Sequence, residues 1–162
     1  RSGGGRRHDL LNPGRPHPQA TAAPLKYVLD TNAVSALMRG NAAVLARLQR
    51  AGKSEVGVPQ PVLAEIAYGI ERLPRSRRKD WLRRRFDSIR EELPRSPWTD
   101  DVSERFGEIK AKLARTGRPI EDFDAAVAAH ALASGAVLVT ADAAHMSRVV
   151  GLETADWARL DP

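Results

Sequence analysis

The 162-residue sequence contains no cysteine. That excludes disulfide frameworks, thiolate catalysis, iron–sulfur clusters and cysteine-based zinc sites together, and it fits a reducing, cytoplasmic compartment. Histidine is scarce as well: His8, His17, His130 and His145 form no His-x-x-x-His pair, so a histidine-built zinc site is not expected. Aromatic residues make up 5% of the chain against 42% hydrophobic residues in all. The apolar content therefore rests on Ala, Val, Leu and Ile, a composition of helix-rich α/β packing rather than of an aromatic-rich β-sandwich. Long hydrophobic runs are missing too. The longest weakly polar stretch, 125–140, includes His130, Ser134 and Gly135 and falls short of the roughly 20 apolar residues that cross a bilayer, so no membrane span is expected.

At this length one compact domain is expected, since domains run to about 100–200 residues. Residues 1–24 hold four Gly, four Pro and no periodic apolar pattern. They read as a disordered basic tail without the apolar stretch of a secretory signal. The folded unit is expected over 25–158, with 159–162 as a short C-terminal end. The formal charge of +6 is concentrated in 71–95, where ten Arg or Lys face five acids. A basic surface attracts polyanions, so Arg75, Arg77, Arg78, Lys79, Arg83, Arg84 and Arg85 are candidate contacts to nucleic-acid phosphates. The competing reading is a solvated helix face with Asp80–Arg84 and Arg83–Asp87 pairs at i, i+4.

Strand and helix signals alternate along the chain. Leu25-Lys26-Tyr27-Val28-Leu29 reads as a first strand that stops at Asp30-Thr31-Asn32, where capping residues open a helix. Asn41 caps a second helix that ends at Gly52, and Glu55-Val56-Gly57-Val58 reads as a second strand. Helices follow over 59–73, 75–93, 100–115 and 122–134, the third of these with apolar residues at Val102, Phe106, Ile109 and Leu113. Pro94 and Pro97 read as chain breaks. Ala136-Val137-Leu138-Val139-Thr140 has the pattern of a buried strand; a short helix through Val150 and an edge strand near 153–155 close the reading. Such alternation predicts a parallel sheet covered by helices on both faces.

Ligands of open parallel sheets sit outside the carboxyl ends of the strands, and Asp30 and Asp142 each follow a strand. Each also fits a plain helix N-cap. Asp124 lies in the first turn of a nearly all-apolar helix, where a carboxylate needs a partner, and Glu65 sits between Val62-Leu63-Ala64 and Ile66-Ala67. Taken alone, Glu65 fits an exposed helix-surface residue. Four such acids in one crevice would repel one another unless a cation neutralised them. Hard oxygen donors select magnesium or manganese over zinc, and a magnesium ion on a few carboxylates suits phosphodiester hydrolysis.

These residues carry a resemblance. Leu29-Asp30-Thr31-Asn32-Ala33-Val34-Ser35 resembles the opening motif of PIN-domain ribonucleases, in particular the VapC toxins of bacterial toxin–antitoxin pairs. Pro61-Val62-Leu63-Ala64-Glu65-Ile66-Ala67-Tyr68-Gly69, then Gly117 through Asp124, then Val139-Thr140-Ala141-Asp142 resemble the later motifs in family order. The likeness runs over about 26–157.

It implies a three-layer α/β/α PIN-like domain with a central parallel sheet and an endoribonuclease dependent on Mg2+ or Mn2+. It also implies homodimerisation and inhibition by a cognate VapB-like antitoxin. Carried over by position, Asp30 and Asp124 would be the main metal ligands, Glu65 would complete the acidic site and Asp142 would be the fourth acid. Thr31, Asn32 and Thr140 would support them. Separately, the charge of 71–95 makes Arg77, Arg78 and Arg84 the candidate RNA contacts. Two positions depart from the pattern: Met146 stands where such sequences often have Phe, and Asp122 is an extra acid beside Asp124.

The alternative is a catalytically silent PIN-like module that binds RNA or protein. A haloacid-dehalogenase-type phosphatase would want Asp at position 32, where Asn32 stands. Trp81, beside Leu82 and Phe86, reads as core, with stacking on a base as the other reading. His130 reads as a hydrogen-bonded core residue and His145 as a surface one. Tyr68, one turn after Glu65, suits either dimer packing or the site.

Overall fold

Valine-rich runs build the middle of the sheet in the computed structural model, which describes residues 24–159. Of the expected tail (1–24) and the short C-terminal end (159–162), residues 1–23 and 160–162 lie outside the described residues. β1 (Tyr27–Leu29) is central, paired in parallel with β2 (Val56–Pro59) on one side and β4 (Val137–Val139) on the other. β3 (Arg95–Ser96) and β5 (Thr154–Ala155) form the parallel edges, giving the order β3-β2-β1-β4-β5. The chain builds one half of the sheet outward from β1, then returns to build the other half from β4. The order therefore reverses between β1 and β4, and the crevice at their carboxyl ends is where open sheets take ligands. β3 was not expected, because Pro94 and Pro97 read as breaks. Proline tolerates an edge, and the Val58 N–H donates to the Pro94 carbonyl at 2.9 Å.

The helices are α1 (Thr31–Met38), α2 (Ala42–Ala51), α3 (Gln60–Glu71), α4 (Arg77–Glu92), α5 (Asp100–Arg115), α6 (Asp122–Ser134) and the one-turn α7 (Ala143–Met146). Their starts follow from capping chemistry. Asn41 Oδ1 accepts from the Val44 N–H at 3.1 Å, and the Ser76 and Thr99 hydroxyls cap α4 and α5 in the same way. At the end of α6 the left-handed turn falls on Gly135 (φ 60°), which returns the chain into β4 without a Cβ penalty.

Strand residues Val28, Leu29, Val56, Val58, Leu138 and Val139 are at most 1% exposed and pack with α1 to α4 in the main core, as a sheet covered on both faces requires. A second core joins α5 to α6 through Val102, Ile109, Leu113, Ala125, Ala128 and Ala129, the alanines allowing close approach of the two helices. Met146 is buried in the main core. Among the described residues no helix is long and apolar enough to cross a membrane.

Two expectations for α4 are corrected. Its core face takes Leu82, Phe86, Ile89 and Leu93, which leaves Trp81 off that line and 42% exposed rather than in the core. Neither Asp80–Arg84 nor Arg83–Asp87 pairs among the described residues. Instead Arg83 and Lys79 both reach Glu71 across the turn after α3, and Asp87 pairs with Arg90. Those two cations hold the Glu71 carboxyl below its usual range, Lys79 more than Arg83.

Candidate active site

Asp30 follows β1 directly, and its backbone N–H donates to the Val139 carbonyl at 3.1 Å, so the main chain there is fixed by both central strands. The side chain caps α1, accepting from the Ala33 N–H at 2.7 Å, and the Asn32 N–H and the Thr140 hydroxyl lie close enough to favour its charged form. The N-cap reading of Asp30 thus holds, together with a second property. The residue is only 7% exposed. Burial pushes its carboxyl above the usual carboxylate range and the negative charge of Asp124 pushes it further, while the three donors pull the other way. An aspartate with this balance is short of positive charge.

Thr140, 1% exposed, ties Asp30 to the next element: its Oγ1 accepts from the Asp142 N–H at 3.0 Å. Asp142 itself is exposed and caps α7, Oδ1 accepting from the His145 N–H at 3.2 Å. Asp124 stands in the first turn of α6, backed by the buried run Ala125 to Ala131. The partner its setting demands is His145, whose Nε2 lies 3.1 Å from Asp124 Oδ2. His145 is therefore half-buried and paired, not a free surface residue as expected. Asp122, two positions earlier, points outward and pairs with Lys110 at 2.6 Å. Of the two acids it is Asp124 whose charge reaches Asp30.

Glu65, half-buried on α3, accepts from the Thr31 hydroxyl at the start of α1, which is more than an exposed helix-surface glutamate would have. The Asn32 residue is exposed, and its contribution is the backbone N–H to Asp30. The structure thus joins Asp30 with Thr140 and Asp124, and Glu65 with Thr31. Among the described residues no three of these acids and histidines converge closely enough to hold one ion. His145 went unread as a site residue. Its signals were the i, i+3 step from Asp142, which fits a capped turn, and the partner that Asp124 lacked.

A cleft of about 340 Å³ opens beside the acids rather than over them, between α1, α3 and α4, and shares Thr31 and Glu65 with the site. On α4 the cations divide. Lys79 and Arg83 are committed to Glu71, and Arg85 donates to the Met38 and Leu37 carbonyls at the end of α1. Arg77, Arg78 and Arg84, and Arg75 just before the helix, have no ion-pair partner among the described residues and are exposed. Tyr68 is 65% exposed, with the Arg72 guanidinium 5.4 Å from its ring centre. His130 is fully buried as expected, its Nδ1 2.9 Å from Ser96 Oγ; burial drops its pKa to about 4.

The PIN domain family model matches residues 27–152. The chain is 30% identical over 134 residues to the tRNA(fMet)-specific endonuclease VapC of Shigella flexneri, covering 83% of this chain and 99% of that protein. Its fold matches that of DNA-bound VapBC from Salmonella typhimurium with a TM-score of 0.74 and 26% identity, over 82% of this chain and 98% of that one. VapBC-1 of nontypeable Haemophilus influenzae matches with a TM-score of 0.71 at 24% identity, over 82% and 98%, a likeness of fold. The α/β sheet with its reversal between β1 and β4, the acids at that reversal and these relatives agree: the chain belongs to the PIN-domain family, among its VapC-type members.

Proposed function

We propose that this VapC-type protein is the endoribonuclease toxin of a toxin–antitoxin pair. In this reading it hydrolyses RNA phosphodiester bonds with Mg2+ or Mn2+ at Asp30 and Asp124, with Glu65 and Asp142 beside them. The observation that carries the reading is Asp30: buried at the β1–β4 reversal, its carboxyl is raised by burial and by the charge of Asp124. A carboxylate pair that repels itself in a partly dry crevice is relieved by a cation. The donor set fits the metal, being all carboxylate oxygen with no sulfur.

When bound, the ion supplies positive charge for the phosphate and lowers the pKa of a water. The chain's own residues do the positioning. The N–H groups of Asn32 and Ala33 and the hydroxyl of Thr140 orient Asp30, His145 orients Asp124, and Thr31 orients Glu65. Arg77, Arg78 and Arg84, exposed and unpaired among the described residues, supply phosphate contacts that draw the RNA strand toward the acids. A VapB-like antitoxin restrains the enzyme, the active form is a homodimer, and the work is done in the cytoplasm. A non-cutting RNA- or protein-binding module is the second reading, favoured by the incomplete convergence of the acids.

Incubation of the purified chain with total bacterial RNA and with a tRNA fraction separates the two. The tRNA fraction is included because the Shigella flexneri relative is tRNA(fMet)-specific by name. Discrete fragments with Mg2+ or Mn2+, absent with excess chelator and absent from Asp30→Asn, support the nuclease. Metal-independent RNA binding by well-folded protein with no fragments supports the binding module.

A further inference from the structure

A second hollow, of about 310 Å³, opens between α5, the end of α6 and the turn that joins α7 to β5. It lies beside the amino ends of β4 and β5, away from the acids: Leu132, which lines it, stands about 12 Å along α6 from Asp124 at 1.5 Å per residue. Its floor is the outer edge of the second core, where Ile109, Leu113 and Val149 are each at most 7% exposed. Val150 closes one side and is 68% exposed, followed by the left-handed turn at Gly151 (φ 81°). An apolar side chain left in water at the lip of an apolar floor gains from an occupant that covers both.

The charge around the hollow is unbalanced. Arg105, Lys112 and Arg148 line it against one acid, Glu108. Glu108 and Lys112 have the i, i+4 spacing of a helix ion pair, yet Glu108 turns back to Arg105 at 3.4 Å, which Asp101 also meets at 3.7 Å. Lys112 is left exposed on the α5 wall with no ion-pair partner among the described residues. From the turn side, half-buried Arg148 gives one N–H to the neutral Pro119 carbonyl at 3.3 Å, and its charge is likewise unanswered among the described residues.

Two uncompensated cations over an apolar floor narrow the occupant. A bare inorganic anion leaves the floor and Val150 in water, and a neutral apolar molecule leaves both cations without a partner. An anionic oxygen head on an apolar body satisfies the two together. The volume is at the small end of ligand pockets, roughly 300–1,000 Å³, so the body is a short chain or a small ring system.

We propose that this hollow binds a small amphipathic anion, its carboxylate or phosphate head held by Lys112 and Arg148 and its apolar body laid over Ile109, Leu113 and Val150. The hollow shares no lining residue with the cleft between α1, α3 and α4 and contains none of the four acids, so the site stands or falls apart from the nuclease reading.

Calorimetry on the full chain with octanoate, octyl phosphate, 1-octanol and inorganic phosphate tests it. Octanoate or octyl phosphate should bind at one site per chain, the tighter of the two naming the head, and 1-octanol and inorganic phosphate should each bind about tenfold more weakly or worse. Lys112→Ala should weaken the tighter amphiphile about tenfold, the worth of one hydrogen bond between charged groups. Val150→Asp, which sets a like charge beside the head in place of an apolar wall, should weaken it at least as much. Both side chains are exposed, so neither change reaches the core. Trp81→Ala, in the other cleft, should change nothing. Equal binding of 1-octanol would reduce the hollow to an apolar patch and equal binding of inorganic phosphate to a cationic one; either overturns the proposal. Unchanged binding in Lys112→Ala and Val150→Asp, loss of binding in Trp81→Ala, or no binding of either amphiphile at millimolar concentration overturns it as well.

Discussion

His145 Nε2 lies 3.1 Å from Asp124 Oδ2, while the backbone N–H of the same histidine donates to Asp142 Oδ1 at 3.2 Å. One residue thereby links two acids that come from different elements, α6 and the β4–α7 turn. Groups that orient a metal-binding carboxylate are commonly worth about 10–100-fold in metal affinity. His145→Ala should therefore weaken Mn2+ binding by about tenfold or more in calorimetry, and His145→Asn, which keeps an N–H donor, should recover part of it. Unchanged Mn2+ affinity in His145→Ala would make the pair a packing contact only.

Asp30 should trade stability for function. Its folded pKa is raised above the unfolded value of about 3.9. Its contribution is then most favourable below that unfolded value and is lost as pH rises through the folded one, so at pH 7 the ionised group is a net cost. Asp30→Asn removes the charge and keeps a side chain able to cap α1. In chelator its thermal midpoint should rise, by roughly 3–5 °C for a gain of about 1 kcal/mol. A fall in the midpoint would mean that the carboxylate serves the fold rather than the site.

The unpaired cations of α4 should show themselves through salt. With Arg77, Arg78 and Arg84 all changed to Ala, the plot of log binding constant against log salt should flatten by roughly 2, at about 0.7 per lost phosphate contact on a single strand. Changing Lys79 and Arg83, which are committed to Glu71, should flatten it less. Equal effects of the two sets, measured by anisotropy across a salt series, would mean that the ion pairs do not sort the surface.

His130 gives the fold an acid-sensitive point away from the acids. It is buried against Ser96, and its pKa falls from the ordinary 6.5 to about 4. A lowered histidine contributes stability that is present above 6.5 and is lost as pH falls toward about 4. The stability advantage of the parent over His130→Leu in urea unfolding should shrink across that window, on the order of 3 kcal/mol in all. A constant difference from pH 7.5 to pH 4.5 would contradict the neutral buried ring.

Local signals carried most of the architecture. The stretches 100–115 and 122–134 were legible as helices because each has a capping or acidic start and a glycine stop, and both ranges appear unchanged in α5 and α6. β3 was not legible, since two residues between prolines pair only through a partner strand more than thirty positions earlier. Asp30, Asp124 and Asp142 could be placed at strand ends and a helix start, but the use of Thr140 as a link between two of them depends on how β1 and β4 lie together. His145 and Glu71 were missed for the same physical reason. Their partners, Asp124 and the α4 cations, lie across turns that spacing along one helix does not describe.

We propose that Asp30 and Asp124 form one metal-dependent cutting site. Mn2+ titration calorimetry on the parent chain, Asp30→Asn, Asp124→Asn and Asp122→Asn, with RNA cleavage scored on the same four proteins, tests it most directly. Asp30→Asn and Asp124→Asn should each lose metal affinity and cleavage together, while Asp122→Asn, whose carboxylate is spent on Lys110, should match the parent in both. Parent-like metal binding and cleavage in Asp124→Asn, or their loss in Asp122→Asn instead, would contradict the assignment.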